Sequence, residues 1–183
     1  MRLKSLHCFS VIFLASVWLT GCGGSSSEGG GPAGGVPPTP FSVASQDNGG
    51  VATATYDSEN AGIINDAVFD LVEGVNSGLF WSGNTNGDSI TIALDDDYLV
   101  SQITMYTNAT NTTDTTIQYS TDGLAYTSIT LFSDCPTMVL GSGRIACTFA
   151  SARQMSHLRV LVNSNAASVR IYELVAMGVL ATP

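Results

Sequence analysis

The stretch Ser89–Tyr106, SITIALDDDYLVSQITMY, decides how the rest of the chain is read. Ile90, Ile92 and Leu94 alternate with Ser89, Thr91 and Ala93, the period of two that a strand with one buried face requires. Beyond Asp95-Asp96-Asp97 the alternation resumes through Ile103 and Met105. Val100 lies three residues before Ile103, so placing all three in a core demands a β-bulge near Ser101 or Gln102. The three aspartates could be metal ligands, but their position between two strand patterns reads most simply as a solvated turn.

The pattern continues outward. Ile117 and Tyr119 lead into Asp122-Gly123, a hairpin signal because glycine tolerates the positive φ of a tight turn, and Tyr126–Leu131 is expected to return as the next strand. Thr107–Thr116 is rich in Thr and Asn, lacks an apolar run, and reads as a loop. Leu158, Val160 and Val162 alternate with Arg159, Leu161 and Asn163 in a further strand that starts near His157. No helical pattern exceeds about two turns, so the expected class is all-β, an antiparallel jelly-roll β-sandwich.

Length and composition bound the rest. The 183 residues suit one domain with additional segments, and 11% charged residues exclude a coiled coil. Arg2 and Lys4 followed by the apolar run Cys8–Leu19 form a secretory leader, residues 1–21, that ends in Leu19-Thr20-Gly21-Cys22. That ending resembles the bacterial lipobox, which makes Cys22 the expected lipidated amino terminus of a lipoprotein. Residues 22–40 continue as GGSSSEGGGPAGGVPPTP after the cysteine, a composition with nothing to bury that reads as a tether of roughly 20–25 Å root-mean-square span. The folded domain is expected over 41–183. The expected localisation is the bacterial cell envelope, lipid-anchored at the outer membrane.

Loss of Arg2 and Lys4 with the leader leaves four of the six basic residues against 15 acidic ones, a formal charge of −11. Such a field repels phosphate backbones, and the remaining cations form no run, which argues against nucleic acid as a partner. With Cys8 removed and Cys22 acylated, Cys135 and Cys147 are the pair left in the folded region, and outside the cytoplasm a disulfide is the economical reading. A metal pair is the alternative, but neither a CxxC spacing nor a nearby histidine supports it.

The ordered set Glu73-Gly74, Phe80-Trp81-Ser82, Ser89–Leu94, Tyr98–Tyr106, Ile117–Gly123, His157–Val162 and Ile171–Gly178 resembles the discoidin, or coagulation factor five/eight type C, domain of the galactose-binding-like superfamily. The resemblance covers about Phe41–Leu180. It implies an eight-stranded jelly roll whose loops at one end bind glycans, lipid head groups or proteins, and bacterial members are often carbohydrate-binding modules. Three positions depart from the pattern: Glu73 replaces the usual Asp, Trp81 lies one residue late, and Tyr126 stands where a Trp is usual.

The resemblance also implies a structural calcium ion, with Glu73, Asn76 and Glu173 at the matched positions and Asp70 nearby, supplying the oxygens a hard cation prefers. Trp81 is a sugar platform by residue type, but its matched position packs in the core. Phe80, Tyr56, Tyr126 and Arg144 remain as loop residues able to contact a ligand. No GxSxG motif occurs and His157 is the one histidine of the mature chain, so no catalytic residues are assigned and an enzyme is not expected. The expected function is a noncatalytic surface lipoprotein that binds neutral or amino-sugar glycans. The alternative is an assembly lipoprotein that uses the same sandwich to contact another envelope protein.

Overall fold

The structure, a computed structural model, describes residues 38–66, 80–109, 112–141, 143–163 and 169–182. The leader, Cys22, Asp70, Glu73 and Asn76 lie outside the described residues. The described residues form nine strands in the order β1 (Phe41–Ser42), β2 (Val51–Ala54), β3 (Trp81–Gly83), β4 (Ser89–Thr107), β5 (Thr115–Ser120), β6 (Thr127–Ser128), β7 (Thr137–Gly141), β8 (Arg144–Val162) and β9 (Val169–Leu180). A 3-10 segment spans Ser58–Asn65 and a single α-helical turn, α1, spans Leu131–Asp134.

Every pairing is antiparallel, as in a jelly-roll sandwich. The two 19-residue strands β4 and β8 each serve both layers. In one layer Ser89–Ala93 pairs with Leu161–His157, flanked by β2 on one side and by β5 and β6 on the other. In the other, Gln102–Tyr106 pairs with Thr148–Arg144 and with β9, while β7 adds to β8 and both β1 and β3 add to the far edge of β9. Ile90, Ile92, Leu158, Val160 and Val162 of the first layer and Val100, Ile103, Met105, Ile171 and Leu174 of the second are buried in one apolar cluster.

The expected bulge is present: the register of β4 against both neighbours shifts between Val100 and Gln102, and Val100, Ile103 and Met105 are all buried. The aspartates do not form a separate turn, because β4 runs through them. They make the corner at which β4 passes from one layer to the other, between the registers at Ala93 and Tyr98. Tyr98 Oη donates to Asp95 Oδ1 at 2.7 Å, Gln154 Nε2 donates to Asp97 Oδ2 at 3.1 Å, and Ala181 N donates to the Asp97 carbonyl at 2.9 Å. Burial, the hydrogen bond to Asp95, and the charges of Asp95 and Asp96 push the Tyr98 phenol up to about 12.

Three further expectations change in detail. Thr107 belongs to β4 and Thr115 and Thr116 to β5, so the loop between them is shorter than the composition implies. The strand after Asp122-Gly123 pairs only at Thr127 and Ser128, and Leu131 opens α1. His157 sits inside β8 instead of at a strand start, with its ring packed where a β-carbon on Gly123 would come within 2.8 Å. That glycine has φ 72°, as its tight turn requires. Asp122 closes the turn by accepting the Leu124 and Ala125 N–H groups at 2.8 and 3.0 Å, and the backbone donors, that of Ala125 foremost, hold its carboxyl below the ordinary range.

Cys135 and Cys147 form a disulfide, with Cα atoms 5.1 Å apart, that ties the end of α1 to β8. Both sulfurs are withdrawn from solvent in the apolar cluster.

Candidate functional site

The registers assign the loops to two ends of the sandwich. Phe41 pairs with Gly178 and Leu180 with Tyr98, so the described chain enters and leaves the fold at the end that also holds the Asp95–Asp97 corner and the Asp122-Gly123 turn. The opposite end carries Thr55 and Tyr56 after β2, Phe80 before β3, Asn84–Asp88 after it, Asn108 after β4 and Arg170 near the start of β9.

At that opposite end local hydrogen bonds fix the side chains. Trp81 is fully buried, which confirms a core role, and its indole Nε1 donates to the Tyr56 carbonyl at 2.7 Å. Asp57 adopts φ 52°, the one non-glycine residue among those described with positive φ. Its carboxylate accepts the Ser82 N–H at 3.1 Å and the Asn60 amide at 2.6 Å, which ties the loop after β2 to β3. Asn84 Nδ2 donates to Tyr56 Oη at 2.7 Å. The Asn84 and Thr85 N–H groups donate to Asp88 Oδ2 at 2.8 and 2.9 Å. Burial acts to raise the pKa of Asp88, but the Thr85 and Asn84 donors outweigh it and hold the carboxyl below its ordinary value.

Arg170 is held from both sides of its backbone. Its N–H donates to Asn108 Oδ1 at 2.6 Å, and its carbonyl accepts Thr107 Oγ1 at 2.7 Å and the Asn108 N–H at 3.2 Å. The guanidinium lies over the Phe80 ring, 4.6 Å from its centroid, and Phe80 meets Tyr172 edge-on at 6.0 Å. Ser82 pairs with Arg170 across the strands, so Tyr56, Asn84, Ser82, Phe80, Arg170 and Tyr172 form one connected surface. It offers aromatic rings beside guanidinium, amide and hydroxyl groups, a combination suited to stacking on a ring while hydrogen-bonding its substituents.

Two of the four sequence-proposed ligand contacts, Tyr56 and Phe80, therefore meet here. Arg144 is exposed at the hairpin joining β7 to β8, opposite Tyr106, and lies at the same end but outside the network. Tyr126 is elsewhere: it follows the Asp122-Gly123 turn at the other end, and Arg159 covers its ring at 3.6 Å while donating from Nε to Gln118 Oε1 at 2.8 Å. The sequence reading missed Arg170, Asn84, Asp57 and Tyr172. Arg170 between the apolar Val169 and Ile171 was the available signal, an outward position on a strand.

The fold resembles that of known modules. CpGH89CBM32-6 from Clostridium perfringens superposes with a TM-score of 0.57 at 19% identity, covering 74% of this chain and 98% of that one. CpGH89CBM32-5 from the same organism, solved with GalNAc-β-1,3-galactose, gives 0.51 at 18% identity over 77% and 100%. The family 32 module of C. perfringens NanJ, solved with galactose, gives 0.51 at 16% over 76% and 98%. The fold is that of the family 32 carbohydrate-binding modules. No protein-family model and no curated protein matches the chain.

Among the described residues no three His, Cys, Asp or Glu side chains converge as metal ligands. Of the four residues matched to a family calcium site, Glu173 is the one described; it is 3% exposed on β9, opposite Tyr106. Its hard oxygen donors suit Ca²⁺ chemically.

Proposed function

We propose that this chain is a noncatalytic, lipid-anchored carbohydrate-binding protein of the bacterial envelope that recognises neutral or amino-sugar glycans through the loop end. The observation that carries the reading is the convergence of Tyr56, Phe80 and Tyr172 with Arg170, Asn84 and Ser82 at one end of the sandwich. The family 32 modules solved with galactose and with GalNAc-β-1,3-galactose support the ligand class. The rings would face the C–H side of a sugar, and the fixed amide and guanidinium groups would meet its hydroxyls. A shallow site of this kind binds at about 10 μM to 1 mM, and many copies on one surface would raise the avidity.

The lipobox at Cys22 supports an outer-membrane anchor. A fatty-acid probe fed to cells is expected to label the wild type and not Cys22→Ala. Calcium held by Glu173 with Glu73, Asn76 and Asp70 belongs to the same reading, supported by the withdrawal of the Glu173 carboxylate from water.

The deciding experiment is a glycan array with the full-length chain in detergent. Binding to galactose- or GalNAc-bearing glycans, lost in both Tyr56→Ala and Phe80→Ala, is expected. Absence of binding to every neutral glycan, together with specific capture of one envelope protein, would transfer the function to assembly.

A further inference from the structure

On the far side of the sandwich from β3 and β9, beginning beside the loop end where Thr115 pairs with Val162, the edge built by β5 and β6 opens into a groove of about 330 Å³. The β5–β6 ladder is short: Gln118 pairs with Ser128 and Tyr119 with Thr127. The Ile129 N–H still reaches the Ile117 carbonyl at 2.8 Å, and then the chain turns into α1 and leaves the strand. The groove is the gap between Thr115–Ile117 on one side and Ser128–Phe132 on the other, with Thr112 at its end.

Its lining has a definite chemistry. Five Thr and Ser side chains combine with aliphatic carbon and one aromatic ring, and no lining residue is ionisable. Phe132 is 75% exposed, so core packing does not account for its place. The turn that presents it is nonetheless fixed. Leu131 packs against the core, Asp134 Oδ2 accepts the Thr130 N–H at 2.7 Å, and the next residue, Cys135, is bridged to β8. The hydroxyls are oriented too: Thr116 Oγ1 accepts from Asn163 Nδ2 at 2.7 Å and Ser128 Oγ accepts from Gln118 Nε2 at 3.1 Å, which leaves each O–H to donate elsewhere.

We propose that this groove is a second ligand site, which takes one neutral sugar ring against Phe132. A pyranose has an apolar C–H face for the phenyl ring and hydroxyls for the Thr and Ser donors, and the volume lies in the range of small-ligand pockets. Anionic and cationic ligands find no counter-charge in the lining. The fixed turn lowers the ordering cost of binding, which favours a site over an incidental hollow. The proposal rests on the groove alone and stands whether or not the loop end binds sugar.

The test is a titration of the ¹⁵N-labelled full-length chain in detergent with methyl β-galactopyranoside and methyl β-glucopyranoside, read by amide shifts. Saturable shifts at Thr115–Ile117 and Ile129–Phe132 are expected with at least one glycoside. Phe132→Ala should weaken the apparent affinity at these amides by roughly tenfold or more, as expected when a stacking residue is removed. It should leave any shifts around Tyr56 and Asn84 intact. Thr130→Val, which replaces an exposed hydroxyl by a methyl, should weaken the groove by a few-fold with the fold unchanged. Shifts confined to the surroundings of Tyr56 and Asn84, no saturable shift with either glycoside, or groove shifts that survive Phe132→Ala would each overturn the proposal. Failure of the loop-end reading would register at Tyr56 and Asn84 and leaves this result separate.

Discussion

Gly83→Ala tests whether the core and the loop end are packed as tightly as the geometry states. A β-carbon at Gly83 would lie 2.5 Å from Val162 Cγ2 and 2.9 Å from Trp81 Cη2. Neither neighbour can retreat easily, since both are fully buried, Val162 is stiff at χ1, and Trp81 is held by its bond to the Tyr56 carbonyl. Overpacking of this kind costs about 1–3 kcal/mol, or a fall in melting temperature of roughly 5–10 °C for about 2 kcal/mol in a domain this size. Val162→Ala alone should cost a similar amount, about 2 kcal/mol for two buried methyl groups and the space they leave. In the double variant the new methyl at 83 enters that space. The two costs should then fall short of additivity by about 1 kcal/mol or more in a double-mutant cycle measured by urea unfolding. A Gly83→Ala melting point within a degree of the wild type, or strict additivity in the cycle, would refute the packing argument. Because Gly83 follows Trp81 and Ser82, the single variant should also weaken loop-end binding, and Val162→Ala should restore part of it.

Replacing Cys135 and Cys147 together by Ala should destabilise the domain by about 3 kcal/mol in the loop-entropy account, measured as a fall in the unfolding free energy in urea; both thiols alkylating in the native, unreduced protein would contradict the bridge. The Tyr98 phenol, raised to about 12 from an ordinary 10.0, contributes stability that is fully present below pH 10 and is lost as pH rises toward 12. The loss amounts to at most about 2–3 kcal/mol, and Tyr98→Phe should abolish that part of the alkaline decline in chemical unfolding. If calcium binds, millimolar Ca²⁺ should raise the melting temperature of the wild type and not of Glu173→Gln, since a ligand of the native state stabilises by mass action; identical melting with chelator and with calcium would remove the site.

The strands could be read where burial is one-sided and local. Ile90, Ile92, Leu158, Val160 and the three-residue step from Val100 to Ile103 state which face is inward without reference to any partner. The reading failed where long-range pairing overrides local composition. Asp95–Asp97 looks like a turn in isolation, yet Gln154 of β8 and Ala181, just past the end of β9, hold that corner. The first part of β8 was not recognised because Ser151–Gln154 lies at the register shift opposite Val100 and Gln102 and lacks alternation. The candidate loop-end surface was half legible. Tyr56 and Phe80 could be named by type and position, whereas Arg170, Tyr172 and Asn84 join them only through the pairing of β3 with β9, which no local signal reports. Tyr126 lies apart from this group, after the Asp122-Gly123 turn at the other end, where Arg159 of β8 covers its ring.

The separation of the two ends bears on how an anchored form would work. Phe41, where the described chain enters the sheet, pairs with Gly178, and Trp81, at the base of the candidate loop-end surface, pairs with Ile171 of the same strand. At about 3.3 Å per residue these registers put roughly 23 Å of sandwich between the entry point and the site. A protein held from the Phe41 side would not cover its own loop end, whatever its orientation about the strand axis. Attachment on the other side would bury Tyr56 and Phe80 against the surface that holds the protein. Moving the attachment from the amino terminus to a residue beside the loop site, such as Asn86→Cys coupled to a bead, should abolish capture of glycan-bearing particles while leaving the binding of small soluble glycosides measurable. Equal capture in both orientations would show that the loop end is not where large glycans are met.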